Sequence, residues 1–235
     1  MSLSDERVRS LDLEAPRNPL LERAYLILQY THDSARALLE ALRKVREERR
    51  AGRGALTDEE QDLLRAMLVM AASGLDAMTK EILRSVLPPL CKKDEEVKSS
   101  FQKFVERKLK GDGREKFLSL ILTAENVQES LIEQYVDELT GNSLQSVDAL
   151  YKAVNALGLF EVFDQENVRS DDLQRVFRER NRIVHELDID FTAPRRNRRS
   201  RRIGHTIQDT NRLLMVAERI YKKCKEKLEE LEDTQ

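Results

Sequence analysis

The chain has no tryptophan, and phenylalanine and tyrosine together make up only 5% of its 235 residues. It has two cysteines, Cys91 and Cys224, far apart and outside any Cys-x-x-Cys pair. That excludes a disulfide framework, argues against a structural zinc site and fits a reducing compartment, so a cytoplasmic location is expected. No apolar run approaches the roughly 18–20 residues that cross a bilayer, and no membrane partner is expected. Residues 1–10 lack the apolar core of a secretory leader. Glycine and proline are scarce, at eight and five, and alternating β-branched segments are hard to find, so the periodicity reads as helix almost throughout.

Most signatures of chemistry are missing as well. Gly111 and Gly113 lack the flanking strand, the third glycine and the Lys-Ser/Thr of a phosphate loop. There is no HxxxH, HExxH or Gly-x-Ser-x-Gly, and His32, His185 and His205 are isolated in sequence. No cofactor and no metal is therefore expected. The length suffices to bury roughly two-thirds to three-quarters of the unfolded surface without a metal or disulfide.

What is present is charge, unevenly placed. The 41 basic and 43 acidic residues leave a formal net charge of -2. Yet residues 175–202 hold ten Arg against Glu179, Glu186, Asp188 and Asp190, a net of +6, so the remainder carries -8. Six of the ten fall within eight residues: Arg195, Arg196, Arg198, Arg199, Arg201 and Arg202. Such a tract repels itself in a helix and is expected to be an exposed, mobile loop. The guanidinium fork matches a phosphate bidentately, so a polyanion is the expected partner; a solvated basic loop with no partner is the alternative.

Seven helical stretches can be read, giving an all-α, up-and-down bundle of six or seven helices. Residues 20–50 carry a stripe through Leu21, Ala24, Leu28, Ala35, Leu39 and Leu42, ending at Gly52. Thr57, with Glu60 in the capping-box position, opens a helix through Leu64, Leu68, Leu75 and Ile82 that Pro88-Pro89 stops. Further helices are expected over Glu95–Lys108, from Thr123 to Gly141, from Asn142 or Ser143 to Leu157, from Ser170 to about Leu187, and from about Thr206 to Leu231. Residues 1–56 read as an N-terminal helical extension packed on a core domain of residues 57–235, the whole forming one globular unit.

One helix carries a candidate site. At about 100° per residue from Leu173, the side chains of Val176, Phe177, Ile183, Val184 and Leu187 form an apolar face, and Arg180 falls at about 340°, inside it. Asn181, His185 and Arg178 lie together along one edge. An arginine in an apolar stripe is costly unless it is paired or opens into a wet cleft. A histidine one turn after an asparagine is placed to be oriented by its amide, and imidazole titrates near neutrality. A fixed cation and a proton-transfer group suit a phosphodiester; on RNA the 2′-hydroxyl is an internal nucleophile, so no metal is required.

The stretch Arg180-Asn181-Arg182-Ile183-Val184-His185 resembles the Arg-Asn-x-x-x-His form of the Arg-x(4–6)-His motif of HEPN domains (higher eukaryotes and prokaryotes nucleotide-binding). The surroundings agree, with the motif near the end of one helix, then a loop, then a long final amphipathic helix. The resemblance covers mainly Thr57 to Leu231. It implies a HEPN-like fold and a metal-independent endoribonuclease acting as a homodimer, with Arg180 and His185 catalytic and Asn181 as polar helper in a cleft shared by two chains. Arg178, Arg182 and the 195–202 tract would bind RNA. Toxins and antiviral defence proteins are common in the family, so an antitoxin or other regulatory protein is a further implied partner. HEPN toxins paired with a nucleotidyltransferase antitoxin often carry Tyr two residues after the His; here that residue is Leu187. The alternatives are a non-catalytic RNA-binding or regulatory module on the same fold, and a helical scaffold whose arginine loop binds an acidic protein.

Overall fold

The structure is a computed structural model, and it describes residues 6–50, 54–163 and 170–233; the helix stop read at Gly52 lies outside them. Among these residues the chain forms α1 (Glu22–Glu48), α2 (Asp58–Ser85), α3 (Leu87–Lys93), α4 (Glu95–Lys110), α5 (Arg114–Thr123), α6 (Val127–Thr140), α7 (Val147–Ala156), α8 (Ser170–Glu186) and α9 (Ile203–Asp233). Two short 3-10 turns, Pro19–Leu21 and Phe160–Phe163, complete the regular structure. The all-α bundle is as expected, with two more helices than the upper count read from periodicity.

Both extra helices have local causes. Pro88 and Pro89 end α2 but also fill the first turn of α3, where a missing N–H costs no helical hydrogen bond. Gly113, in the left-handed region at φ 90°, turns the chain into α5. Thr123 is the last residue of α5 and does not open α6, which is capped by Asn126 accepting from the Glu129 N–H at 3.3 Å. Ser146, not Asn142 or Ser143, caps α7, and α9 begins at Ile203 rather than Thr206.

α2 is the central helix. Leu68, Ala71, Leu75, Met78 and Ile82 are buried along it, against α1 on one flank and α9 behind. Its start is fastened by the expected capping box. The Thr57 hydroxyl accepts from the Glu60 N–H at 3.3 Å, and Glu60 Oε2 accepts from the Thr57 N–H at 2.9 Å. Glu60 is fully buried and also pairs with Arg46 at 3.3 Å and Arg49 at 3.1 Å, tying the end of α1 to the start of α2. Residues before α1 run along α9, where the Arg9 N–H donates to Asn211 Oδ1 at 2.9 Å and Lys222 pairs with Asp12 at 2.8 Å.

Gly74 marks a close approach of α1 to α2. A Cβ there would lie 2.0 Å from Thr31 Oγ1 and 2.6 Å from Thr31 Cβ. In an open helix Gly→Ala gains about 1 kcal/mol. Here overpacking reverses the sign, and Gly74→Ala is expected to destabilise by about 1–3 kcal/mol. Urea unfolding of Gly74→Ala beside Gly74→Ala/Thr31→Ala checks this, the second change restoring part of the loss.

Candidate functional site

α8 buries Leu173, Val176, Phe177 and Ile183, the face that the sequence spacing assigns to the core. Arg180 sits within that face and is only partly exposed. Its Nη1 donates to Asn181 Oδ1 at 3.0 Å, while its Nε is buried with no acceptor among the described residues. Burial holds its pKa below the usual arginine value, partly offset by the carboxylate of Asp76 on α2. Asp76 in turn accepts from the Leu144 N–H at 2.6 Å and pairs with Lys80 at 3.1 Å. The costly arginine is therefore retained without full pairing.

Asn181, His185 and Arg178 are exposed along the adjoining edge, as the helical wheel places them. Asn181 does not orient His185, as the sequence reading expects; its side-chain oxygen is taken by Arg180. His185 makes no side-chain hydrogen bond among the described residues. Five residues of helix separate Arg180 from His185, about 140° around the axis and about 7.5 Å along it, so one chain does not aim both side chains at one point.

The helix ends without glycine. Leu187 and Asp188 both take left-handed backbone, at φ 50° and 60°. The Asp188 N–H returns to the Arg182 carbonyl at 2.9 Å in a Schellman-type closure. Left-handed backbone costs each residue roughly 1–2 kcal/mol. The compensation is at the Asp188 carboxylate, which is fully buried. It accepts from Arg65 Nε at 2.9 Å and from Arg201 Nε and Nη2, each at 2.7 Å.

The arginine tract, expected to be an exposed, mobile loop, is largely exposed and folds back as a short hairpin. The Asp190 N–H donates to the Asn197 carbonyl at 2.9 Å, the Arg199 N–H to the Asp188 carbonyl at 2.8 Å, and Ile189 and Arg198 form an antiparallel bridge. Four neighbouring carboxylates quench the self-repulsion: Arg198 pairs with Asp62 at 2.7 Å, Arg199 with Asp190 at 3.2 Å, and Arg201 with Asp188 and Glu179. Arg182 pairs with Glu179 at 2.7 Å. Arg178, Arg195, Arg196 and Arg202 have no ion pair among the described residues. Asp188, Arg65 and Asp76 are the residues that pattern reading misses. Asp188 enters the sequence argument only as a charge offsetting the arginines, and Arg65 and Asp76 sit in another helix.

Two exposed apolar side chains adjoin the site. α2 runs antiparallel to α8, fixed by Arg65 with Asp188 at one end and Asp76 beside Arg180 at the other. Val184, one turn past Arg180 on α8, is 40% exposed. Leu187, just past the helix end, is 64% exposed. Cavities of about 370, 370, 730 and 400 Å³ are lined by other parts of the chain. Among the described residues, no three His, Cys, Asp or Glu side chains form a group able to hold a metal ion. No helix among them is long and apolar enough to cross a membrane.

A helical bundle with an Arg-Asn-x-x-x-His helix end, followed by a loop and a long closing helix, defines a HEPN domain. The family model of RiboL-PSP-HEPN matches residues 36–230, and the chain belongs to that family. Membership sets it among HEPN-type nuclease or RNA-binding modules in general. No curated protein and no solved structure matches it.

Proposed function

We propose that the protein is a metal-independent endoribonuclease that works as a homodimer in the cytoplasm. The observation that carries this reading is Arg180: a half-buried cation whose Nε has no acceptor among the described residues, on the helix that bears His185, with the exposed apolar side chains of Val184 and Leu187 at that helix's end. Burying those side chains against a second copy would exclude water around Arg180 and strengthen its field on a phosphate. It would also complete a cleft that the convex edge of one α8 does not form.

In the reaction, His185 takes the proton of the 2′-hydroxyl, and the 2′-oxygen attacks the adjacent phosphorus. Arg180, oriented by Asn181, holds the non-bridging oxygens as charge grows on them. The bond from phosphorus to the 5′-oxygen breaks, and the partner's His185 supplies the proton to that oxygen. The products end in a 2′,3′-cyclic phosphate and a 5′-hydroxyl. Arg178, Arg182, Arg195, Arg196 and Arg202 gather the RNA backbone, while Arg198, Arg199 and Arg201 mainly brace the hairpin. A toxin or antiviral defence role, held in check by an antitoxin or other regulatory protein, rests on the family resemblance.

The test is incubation of EDTA-treated protein with structured RNA, wild type beside His185→Ala. Cleavage by the wild type alone supports the reading; no cleavage, or equal cleavage by both, overturns it. Light scattering should give the mass of two chains, and Val184→Asp should lower mass and cleavage together. One observation favours the second reading, a non-catalytic RNA-binding module: nothing among the described residues orients the His185 ring. RNA binding with no cleavage by any preparation is the outcome that reading expects.

A further inference from the structure

In a chain with seven Phe, five Tyr and no Trp, strong exposure of an aromatic ring is uncommon; among the described residues it is found at Tyr30, Phe160 and Phe191. Phe191 is 60% exposed and lies in the most basic segment of the protein. It sits at the turn of the hairpin that follows His185, with Arg195 and Arg196 on the returning limb. Neither arginine has an ion pair among the described residues. The carboxylate next to the ring is already engaged, since Asp190 Oδ1 accepts from the Thr192 N–H at 3.1 Å, the Thr192 hydroxyl at 2.6 Å and Arg199 at 3.2 Å. The turn is also braced. Ile189 pairs with Arg198, and below them Asp188 is locked between Arg65 and Arg201. A braced turn therefore holds out an exposed ring in the same short hairpin as two arginines that have no ion pair among the described residues.

That combination complements an unpaired nucleotide. The base stacks on the ring, whatever its identity, and the phosphates on either side take the arginines. A duplex offers the same phosphates but hides its base faces in the stack. We propose that Phe191 is a stacking platform for an unpaired nucleobase, so that the site takes single-stranded RNA or loops in preference to duplex. The proposal rests on the RNA reading above and adds the substrate class to it. A second copy of the chain is the competing occupant of the ring, and the test separates the two.

The experiment measures binding of 2′-O-methyl RNA, which 2′-hydroxyl attack cannot cleave, by fluorescence anisotropy. One probe is a single strand of about 12 nucleotides, within the footprint of such sites; the other is the same strand annealed to its complement. Phe191→Ala should weaken single-strand binding about tenfold and duplex binding by less than about twofold. Phe191→Tyr should keep the wild-type affinity, and Phe191→Leu, apolar but without a ring, should behave like Phe191→Ala. The mass by light scattering should be unchanged in all three. Equal loss on strand and duplex, no loss on the strand, full affinity in Phe191→Leu, or a change of mass would overturn the proposal. If Phe191→Ala loses the strand but no preparation cleaves RNA, the platform stands and the nuclease reading falls. If RNA is cleaved and Phe191→Ala binds the strand normally, the reverse holds. If wild-type protein binds neither probe, both fall.

Discussion

Replacing His185 with alanine should lower RNA cleavage by about 10²–10⁴-fold, the usual worth of a positioned acid or base. Folding should not change, because the side chain is exposed and makes no hydrogen bond or ion pair among the described residues. Arg180 should matter to a similar degree, by about 10²–10³-fold, through loss of charge stabilisation. Arg180→Lys should not rescue it, since an ammonium lacks the planar fork. Stability separates this role from a structural one. Arg180 keeps a buried Nε with no acceptor among the described residues, and burial already depresses its pKa. Arg180→Leu should therefore melt at or above the wild-type temperature while losing cleavage, the pattern of a side chain held against stability for function. Single-turnover rates measured beside thermal melts check the pair. A large fall in melting temperature for Arg180→Leu would instead mark Arg180 as a structural residue.

The second large effect is expected at Asp188, which touches no substrate in this account. Its carboxylate is fully buried between Arg65 and Arg201, whose side chains are 5% and 9% exposed. Asp188→Ala removes the one fully buried counter-charge that both guanidinium groups share, leaving Arg65 with Asp62 at 3.0 Å and Arg201 with Glu179 at 3.4 Å, a loss of about 3 kcal/mol. For a chain of this size that is a drop in melting temperature of roughly 10 °C. The hairpin should loosen in the same variant, because Arg201 is its tether and Asp188 closes the end of α8. RNA affinity should then fall at low salt, where phosphate contacts count most. Differential scanning calorimetry and a salt titration of RNA binding read the two effects. A melting temperature within a degree or two of wild type would contradict the assignment of Asp188 as the anchor.

The sequence made α8 legible because one helix contains all the information needed. Leu173, Val176, Phe177 and Ile183 repeat at helical spacing and are buried, and Arg180 stands out among them. Spacing does not say what covers a face. Val184 and Leu187 belong to the same stripe yet are 40% and 64% exposed. What braces the arginine tract is hidden from the sequence for a related reason. Six arginines in eight residues repel one another when considered alone. Their partners Asp62 and Glu179 come from other elements, and the αL turn at Leu187 and Asp188 uses neither glycine nor asparagine. The extra helices α3 and α5 are short, one opening on a proline pair and one behind a glycine turn, where periodicity has too few residues to register.

The central claim is that Arg180 and His185 cleave RNA through its own 2′-hydroxyl, without a metal ion. The most direct measurement is the chemistry of the product ends, from RNA cut by the EDTA-treated protein and compared with RNA carrying 2′-O-methyl groups. The account predicts 2′,3′-cyclic phosphate and 5′-hydroxyl ends, no cutting of the methylated strand, and no cutting by His185→Ala. Ends bearing a 3′-hydroxyl and a 5′-phosphate, or cutting of the methylated strand, would contradict it.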